Sequence, residues 1–234
     1  MSQGIFVTGT DTGIGKTLMA CALLRGFAAR GLRVAGMKPV AAGMDGGNSN
    51  EDVELLKSAS NVAFAERLIN PYLLCEALAP HIAARHQGIV IDSQSILECF
   101  EKMRAATDLV IVEGVGGFQV PLGPQEDSAR LAVLLGLPVI LVVGMRLGCI
   151  SHALLTQAAI QARSLPLAGW IANQIDPQMA CVEENLEALK ERIEAPLLGF
   201  IPYQIEPDSA IITGLLDFTK FMDLPNFSKH AELS

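Results

Sequence analysis

Twelve residues near the start of the chain, Phe6-Val7-Thr8-Gly9-Thr10-Asp11-Thr12-Gly13-Ile14-Gly15-Lys16-Thr17, restrict its fold more than any other stretch. The β-branched and aromatic run Ile5 to Thr8 predicts a buried strand, and Leu18 to Arg30 carries apolar residues at helical spacing. Strand, glycine turn and helix in that order is the setting of a phosphate-binding loop. There the loop N–H groups and the positive end of the helix dipole converge on one anion. Lys16 adds a point charge, and the Thr17 hydroxyl is placed to ligate Mg²⁺. The strict G-x-x-x-x-G-K-[ST] spacing is not met, because five residues separate Gly9 from Gly15. The same glycines also fit a short-chain dehydrogenase. That chemistry needs a Tyr-x-x-x-Lys pair, and Tyr72 and Tyr203 are followed at that spacing by Glu76 and Pro207.

The rest of the chain alternates strand and helix. The predicted strands are Arg33–Lys38, closed by Pro39, then Asp108–Glu113, Pro138–Val143, Leu167–Asn173 and Leu197–Ile201. The predicted helices begin at Asn50–Val53 and cover Ser93–Ala106, with Asp92 or Ser93 as N-cap, Ser128–Leu135, Ser151–Arg163 and Gln178–Ile193. Residues 41–50 read as a flexible loop, 61–91 as an irregular connection with a short helix near His81, and 209–222 as a short helix before a frayed tail over about 223–234. Strict alternation implies an α/β fold: one domain over 1–234, with a mostly parallel sheet covered by helices on both faces. Ligands of such sheets sit beyond the C-terminal strand ends. That places the glycine loop, Lys38, Glu113, the 144–151 turn and Asn173 on one rim.

Composition narrows the partners. Lys and Arg number 17 against 25 Asp and Glu, a net charge of −8, and no basic cluster appears, which argues against nucleic acid or an anionic membrane. No apolar run reaches the ~18 residues that span a bilayer, and residues 1–8 read as core strand rather than signal peptide. The five cysteines are scattered and never form C-x-x-C, so free thiols in a reducing cytoplasm are expected, without zinc.

Candidate ligands follow from the rim. Glu113 ends an apolar strand where a Walker B acid lies, and Gly114, Gly116 and Gly117 leave room for a ligand. Asp52 fits either a metal ligand or a plain acid of a first helical turn. Lys38 is a cation at a strand end, suited to a transferring phosphoryl group. The Gly148-Cys149-Ile150-Ser151 turn serves equally as an anion site or as a loop capped by Ser151; Cys149 reads as a small packing residue.

These blocks also carry a resemblance. Residues 6–17, Gly-x-Lys-Pro-Val (36–40), Asn-Pro-Tyr (70–72), Pro-His (80–81), Val-Glu-Gly-x-Gly-Gly (112–117), the run 138–144, Leu-Gly-Cys-Ile (147–150), Leu-Ala-Gly-Trp (167–170) and 196–202 together resemble the dethiobiotin synthetase family, in order, from residue 5 to about 208. The resemblance implies an ATP- and Mg²⁺-dependent cyclo-ligase. It would carboxylate 7,8-diaminononanoate with CO₂ and close the ureido ring through a carbamate and a carbamic-phosphoric anhydride, as a homodimer with sites at the subunit interface. It implies catalytic roles for Lys16, Lys38 and Thr12, and Mg²⁺ held by Thr17, Asp52 and Glu113. Nucleotide contacts would come from Gly13, Ile14, Gly15, Lys16, Thr17, Leu18, Gly114, Val115, Gly116, Asn173, Gln174, Pro202, Tyr203, Gln204 and Asp208. Substrate contacts would come from Thr12, Lys38 and Ala42, with Gly148, Cys149, Ile150 and Ser151 of the other subunit binding the carboxylate. The chain departs at Gly13, where some members have Glu, at Ala42, where many have Ser or Thr, and at Arg146, where Lys is common. The rival reading is a switch ATPase of the partitioning type. Such proteins carry a signature lysine five residues before the loop lysine, where this chain has Asp11. An amide ligase of the cobyrinate type would need a further glutaminase domain.

Overall fold

The computed structural model describes residues 4–44 and 49–222. Residues 45–48 of the expected loop and the expected frayed tail, 223–234, lie outside the described residues. In chain order the elements are β1 (Gly4–Gly9), α1 (Lys16–Ala28), β2 (Val34–Met37), β3 (Val40–Ala42), α2 (Glu51–Ala59), α3 (Glu66–Ile69), β4 (Tyr72–Leu74), α4 (Pro80–His86) and α5 (Ser93–Arg104). They continue with β5 (Leu109–Glu113), α6 (Ser128–Leu135), β6 (Val139–Met145), α7 (Cys149–Ala162), β7 (Leu167–Gln174), α8 (Val182–Lys190), β8 (Leu197–Ile201), α9 (Ser209–Thr213) and α10 (Thr219–Met222).

Six strands form one sheet in the order β2-β5-β1-β6-β7-β8, with every neighbouring pair parallel. All C-terminal strand ends therefore share one edge. Alternation along β1 feeds both faces: Ile5 and Val7 pack with Leu23, Leu24 and Phe27 of α1, while Phe6 packs with the layer that holds Phe100 and Leu131 of α5 and α6. Burial on both faces explains why β5 and β6 are apolar throughout rather than alternating. A third cluster joins Leu141 and Val143 to Trp170 and to Leu189 of α8.

Five differences from the sequence reading are local. Helix α8 spans Val182–Lys190 rather than Gln178–Ile193, with Cys181 as its left-handed N-cap. Val40–Ala42, read as the start of a loop, pairs in parallel with Tyr72–Leu74, inside the stretch read as irregular, as a small second sheet. Two alanines carry little strand propensity; the pairing is imposed by tertiary context. The short helix α3 also falls in that stretch. Helix α1 starts at Lys16 rather than Leu18, because Gly15 is its left-handed N-cap at φ 88°. Helix α7 likewise starts at Cys149, with Gly148 at φ 93° as N-cap rather than Ser151.

Candidate active site

The phosphate loop is held shut from inside. Gly13 and Gly15 take positive φ (72° and 88°), which an L side chain rarely adopts. Between them Ile14 is buried, and an added Cβ on Gly9 or Gly144 would lie 2.6 Å from its side chain. The Asn173 amide, at the end of β7, donates to the Ile14 carbonyl at 2.8 Å. This packing accommodates the fifth loop residue that breaks the strict spacing. Lys16 is buried at the first turn of α1, and its Nζ donates to the Asp11 carbonyl at 2.8 Å. Burial lowers its pKa to about 8; the nearby Lys38 charge adds to the fall, while Glu113, Asp52 and Asp11 oppose it.

Beside the loop, three chain segments meet. Thr17 Oγ1 lies 2.7 Å from Asp52 Oδ1 and 2.8 Å from Glu113 Oε1, with its single proton to share between the two carboxylates. Lys38 Nζ donates to Asp52 Oδ2 at 2.8 Å and to Glu113 Oε1 at 2.5 Å. Glu113 is fully buried, which raises its pKa against the pull of Lys38. Lys38 is buried as well; desolvation pushes its pKa down, but Glu113 and Asp52 together carry it above the ordinary lysine value. Asp52 lies low, since Lys38 and Thr17 outweigh its partial burial.

The donor set fits a hard divalent cation. Glu113 Oε2 is buried with no hydrogen-bond partner among the described residues, an orphan that a cation or a metal-bound water would satisfy. No three His, Cys, Asp or Glu side chains converge among the described residues. Two carboxylates and one hydroxyl do, and Mg²⁺ takes few protein ligands when phosphate and water supply the others.

A cleft of about 1410 Å³ opens over these groups, lined by Asp11, Thr12, Gly13, Gly15, Lys16, Thr17, Leu18, Lys38, Ala42, Asp52, Glu113, Val115, Gly116 and Asp208 among others. Its lining also includes the apolar Ala42, Ala77, Leu78, Pro80 and Val120, and Arg25, Pro207 and Ser209. Of the remaining sequence candidates, Ile14 and Gly114 lie behind the lining. Asn173, Gln174, Pro202, Tyr203 and Gln204 stand on the same rim, at the ends of β7 and β8, where the Tyr203 N–H donates to Gln174 Oε1 at 3.4 Å. Gly148–Ser151 do not line this cleft; at the start of α7, Gly148 and Ser151 are exposed, Ile150 is half-buried and Cys149 is buried. Sequence reasoning missed Arg25, whose Nε donates to Ser209 Oγ at 3.0 Å. Helical spacing from Thr17 through Cys21 to Arg25 was the available signal. Asp11, in the position of the partitioning signature lysine, accepts from the Thr12 N–H and pairs with Arg146.

The sheet order, the loop and the paired carboxylates define the P-loop NTPase class, and comparison agrees. A family model described as an AAA domain matches residues 3–209. The MinD septum-site protein of Pyrococcus horikoshii with Mg-ADP superposes with TM-score 0.58 at 17% identity, covering 97% of this chain and 92% of that one. A ParA-family ATPase of Chlorobium tepidum superposes with TM-score 0.57 at 15% identity over 98% and 96%; these two likenesses are of fold alone. Closer relatives give the particular family. The protein named ATP-dependent dethiobiotin synthetase BioD of Nitrosospira multiformis is 54% identical over 220 residues, 94% of this chain and 97% of that protein. The one so named from Aromatoleum aromaticum is 56% identical over 214 residues, 90% and 95% respectively. The chain belongs to the dethiobiotin synthetase family.

Proposed function

We propose that this protein closes the ureido ring of dethiobiotin from 7,8-diaminononanoate, CO₂ and ATP, releasing ADP and phosphate. The observation that carries it is the convergence of Lys16, Lys38, Thr17, Asp52 and Glu113 at one cleft whose lining also includes apolar side chains. In this reading Thr17, Asp52 and Glu113 hold Mg²⁺, which when bound neutralises charge on the triphosphate. Lys16 and the loop N–H groups bind the phosphates. Lys38, already charged and held between two carboxylates, sits where an anionic carbamate and the γ-phosphate must meet, and phosphoryl transfer needs little beyond such placement and charge. Thr12 borders the reacting end, and the apolar lining residues, Ala42 among them, take the aliphatic chain. The rim residues Asn173, Gln174, Pro202–Gln204 and Asp208 meet the adenosine.

The Gly148–Ser151 turn does not line its own cleft, and in this reading it binds the substrate carboxylate at the site of a second subunit. Support for a homodimer comes from Leu147, just ahead of α7, and Leu155 on it, exposed at 93% and 67%. No described helix is long and apolar enough to cross a membrane. Phosphate release from ATP should require both diamine and bicarbonate. Slow hydrolysis that ignores both and answers to a partner surface would favour a partitioning-type switch instead.

A further inference from the structure

Lys38 is held by more than its side chain. It lies between β2, which ends at Met37, and β3, which begins at Val40, so it belongs to neither sheet. The residue after it is Pro39, which has no N–H to offer. Its peptide groups are nevertheless buried and must find partners. All of them come from one short segment, 69–72. The Lys38 N–H donates to the Ile69 carbonyl at 2.9 Å, and the Tyr72 N–H donates to the Pro39 carbonyl at 3.1 Å. The Lys38 carbonyl accepts from Asn70 Nδ2 at 2.6 Å, and the same amide donates to the Tyr72 carbonyl at 3.2 Å. Both partners are acceptors, which fixes the orientation of the amide. Asn70 itself is buried at 6% exposure, and its own N–H is tied to the Glu66 carbonyl.

We infer that Asn70 is a positioning residue of the ligase reaction: its amide anchors the Lys38 carbonyl, and so sets where Lys38 Nζ lies between Asp52 and Glu113. A lysine side chain has four rotatable bonds, and an Nζ bonded to two carboxylates is placed only if its Cα is placed. Hydrophobic packing alone leaves the peptide plane at Lys38 free to tilt. The two-carbonyl clamp through Asn70 removes that freedom and carries no contact with the phosphate loop.

The inference rests on the function proposed above and deepens it. Its test compares the parent protein with Asn70→Ala and Asn70→Asp; the second keeps the outline of the side chain but removes the N–H donor. Steady-state phosphate release with diamine and bicarbonate, the Kd for a fluorescent ADP analogue, and the melting temperature are read for each. We expect kcat to fall about 10- to 100-fold, the scale of an ångström-sized misplacement. The ADP Kd should stay within about threefold, and both variants should remain folded at the assay temperature. Unchanged kcat overturns the role. So does a parallel loss of kcat and nucleotide affinity, or failure of both variants to fold, since either makes Asn70 a support of the fold in general. A parent without diamine-dependent turnover rejects the proposed function itself, which is a separate outcome.

Discussion

Lys38 and Glu113 are buried partners: the carboxylate helps hold the Lys38 pKa above the ordinary lysine value, while burial raises that of Glu113 against the pull of Lys38. Replacing Lys38 removes the only cation within bonding distance of both carboxylates among the described residues. Lys38→Ala should lower kcat by about 10²–10³, the usual loss when one preorganised donor is taken from a developing charge. ADP should still bind, because Lys16 and the loop are untouched; titration of the variant with a fluorescent nucleotide checks this, and unchanged turnover would remove Lys38 from the chemistry. Glu113→Gln keeps the shape and loses the charge. The Mg²⁺ concentration for half-maximal rate should then rise at least about tenfold, a loss that even an outer-sphere partner of a metal brings; a titration that overlays the parent's would reject Glu113 as a ligand. At this scale Lys16, Thr17 and Glu113 were legible in the sequence, because motif and strand end place them. The clamp at Asn70 was not, because a donor 32 residues away from its acceptor leaves no local pattern.

Helices in this fold are set by their ends and by what lies across from them. Asp92 caps α5, accepting from the Gln94 and Ser95 N–H groups at 3.2 and 2.9 Å. Bonds from the Ser95 hydroxyl and amide, then from Gln94, hold its pKa below the ordinary aspartate value. Its folded pKa is depressed, so the stability it adds is complete above the unfolded value of about 3.9 and is lost as pH falls through the folded one. Asp92→Ala should destabilise by about 1 kcal/mol at pH 7, Asp92→Asn by much less, and the gap between parent and Asp92→Ala should narrow below about pH 4; urea unfolding at pH 7 and pH 3.5 measures both. Gly26 of α1 obeys a different constraint. A Cβ there would fall 1.9 Å from Phe218 Cζ. That ring sits edge-on to Phe27 at 5.2 Å and under the Arg30 guanidinium at 4.0 Å, and it docks the C-terminal segment. Gly→Ala inside a helix usually stabilises by about 0.5–1 kcal/mol. Here it should lower the melting temperature, and in a Phe218→Ala background the sign should reverse; a single Gly26→Ala with raised stability would contradict the docking. The long apolar strands and capped helices could be read from the chain alone. β3 and β4 could not, because three-residue strands have no period to detect and are defined only by each other.

At the scale of the whole molecule, the unresolved demand lies on α7. From Cys149 to Ala162 it carries no acid, lysine or arginine, and its polar residues are Ser151, His152, Thr156, Gln157 and Gln161. Its inner residues Cys149, Ala153, Gln157 and Ile160 meet the sheet and α8 side. On the opposite side Ser151, His152, Leu155, Ala158, Gln161 and Ala162 are exposed, and Leu147 is exposed just ahead of the helix. A self-complementary pairing of two such faces is the simplest closed assembly. It would also carry the Gly148–Ser151 turn away from its own cleft toward that of a neighbour. Leu155→Asp places a charge in the middle of that face without touching the phosphate loop. Sedimentation velocity should show the parent as a dimer and the variant as a monomer at micromolar concentration. If the turn serves the neighbouring site, kcat/KM for the diamine should fall with the dimer while the ADP Kd holds. A monomeric variant with undiminished kcat/KM would separate assembly from catalysis and return the substrate carboxylate to groups of its own subunit. A variant that stays dimeric would place the interface on another face.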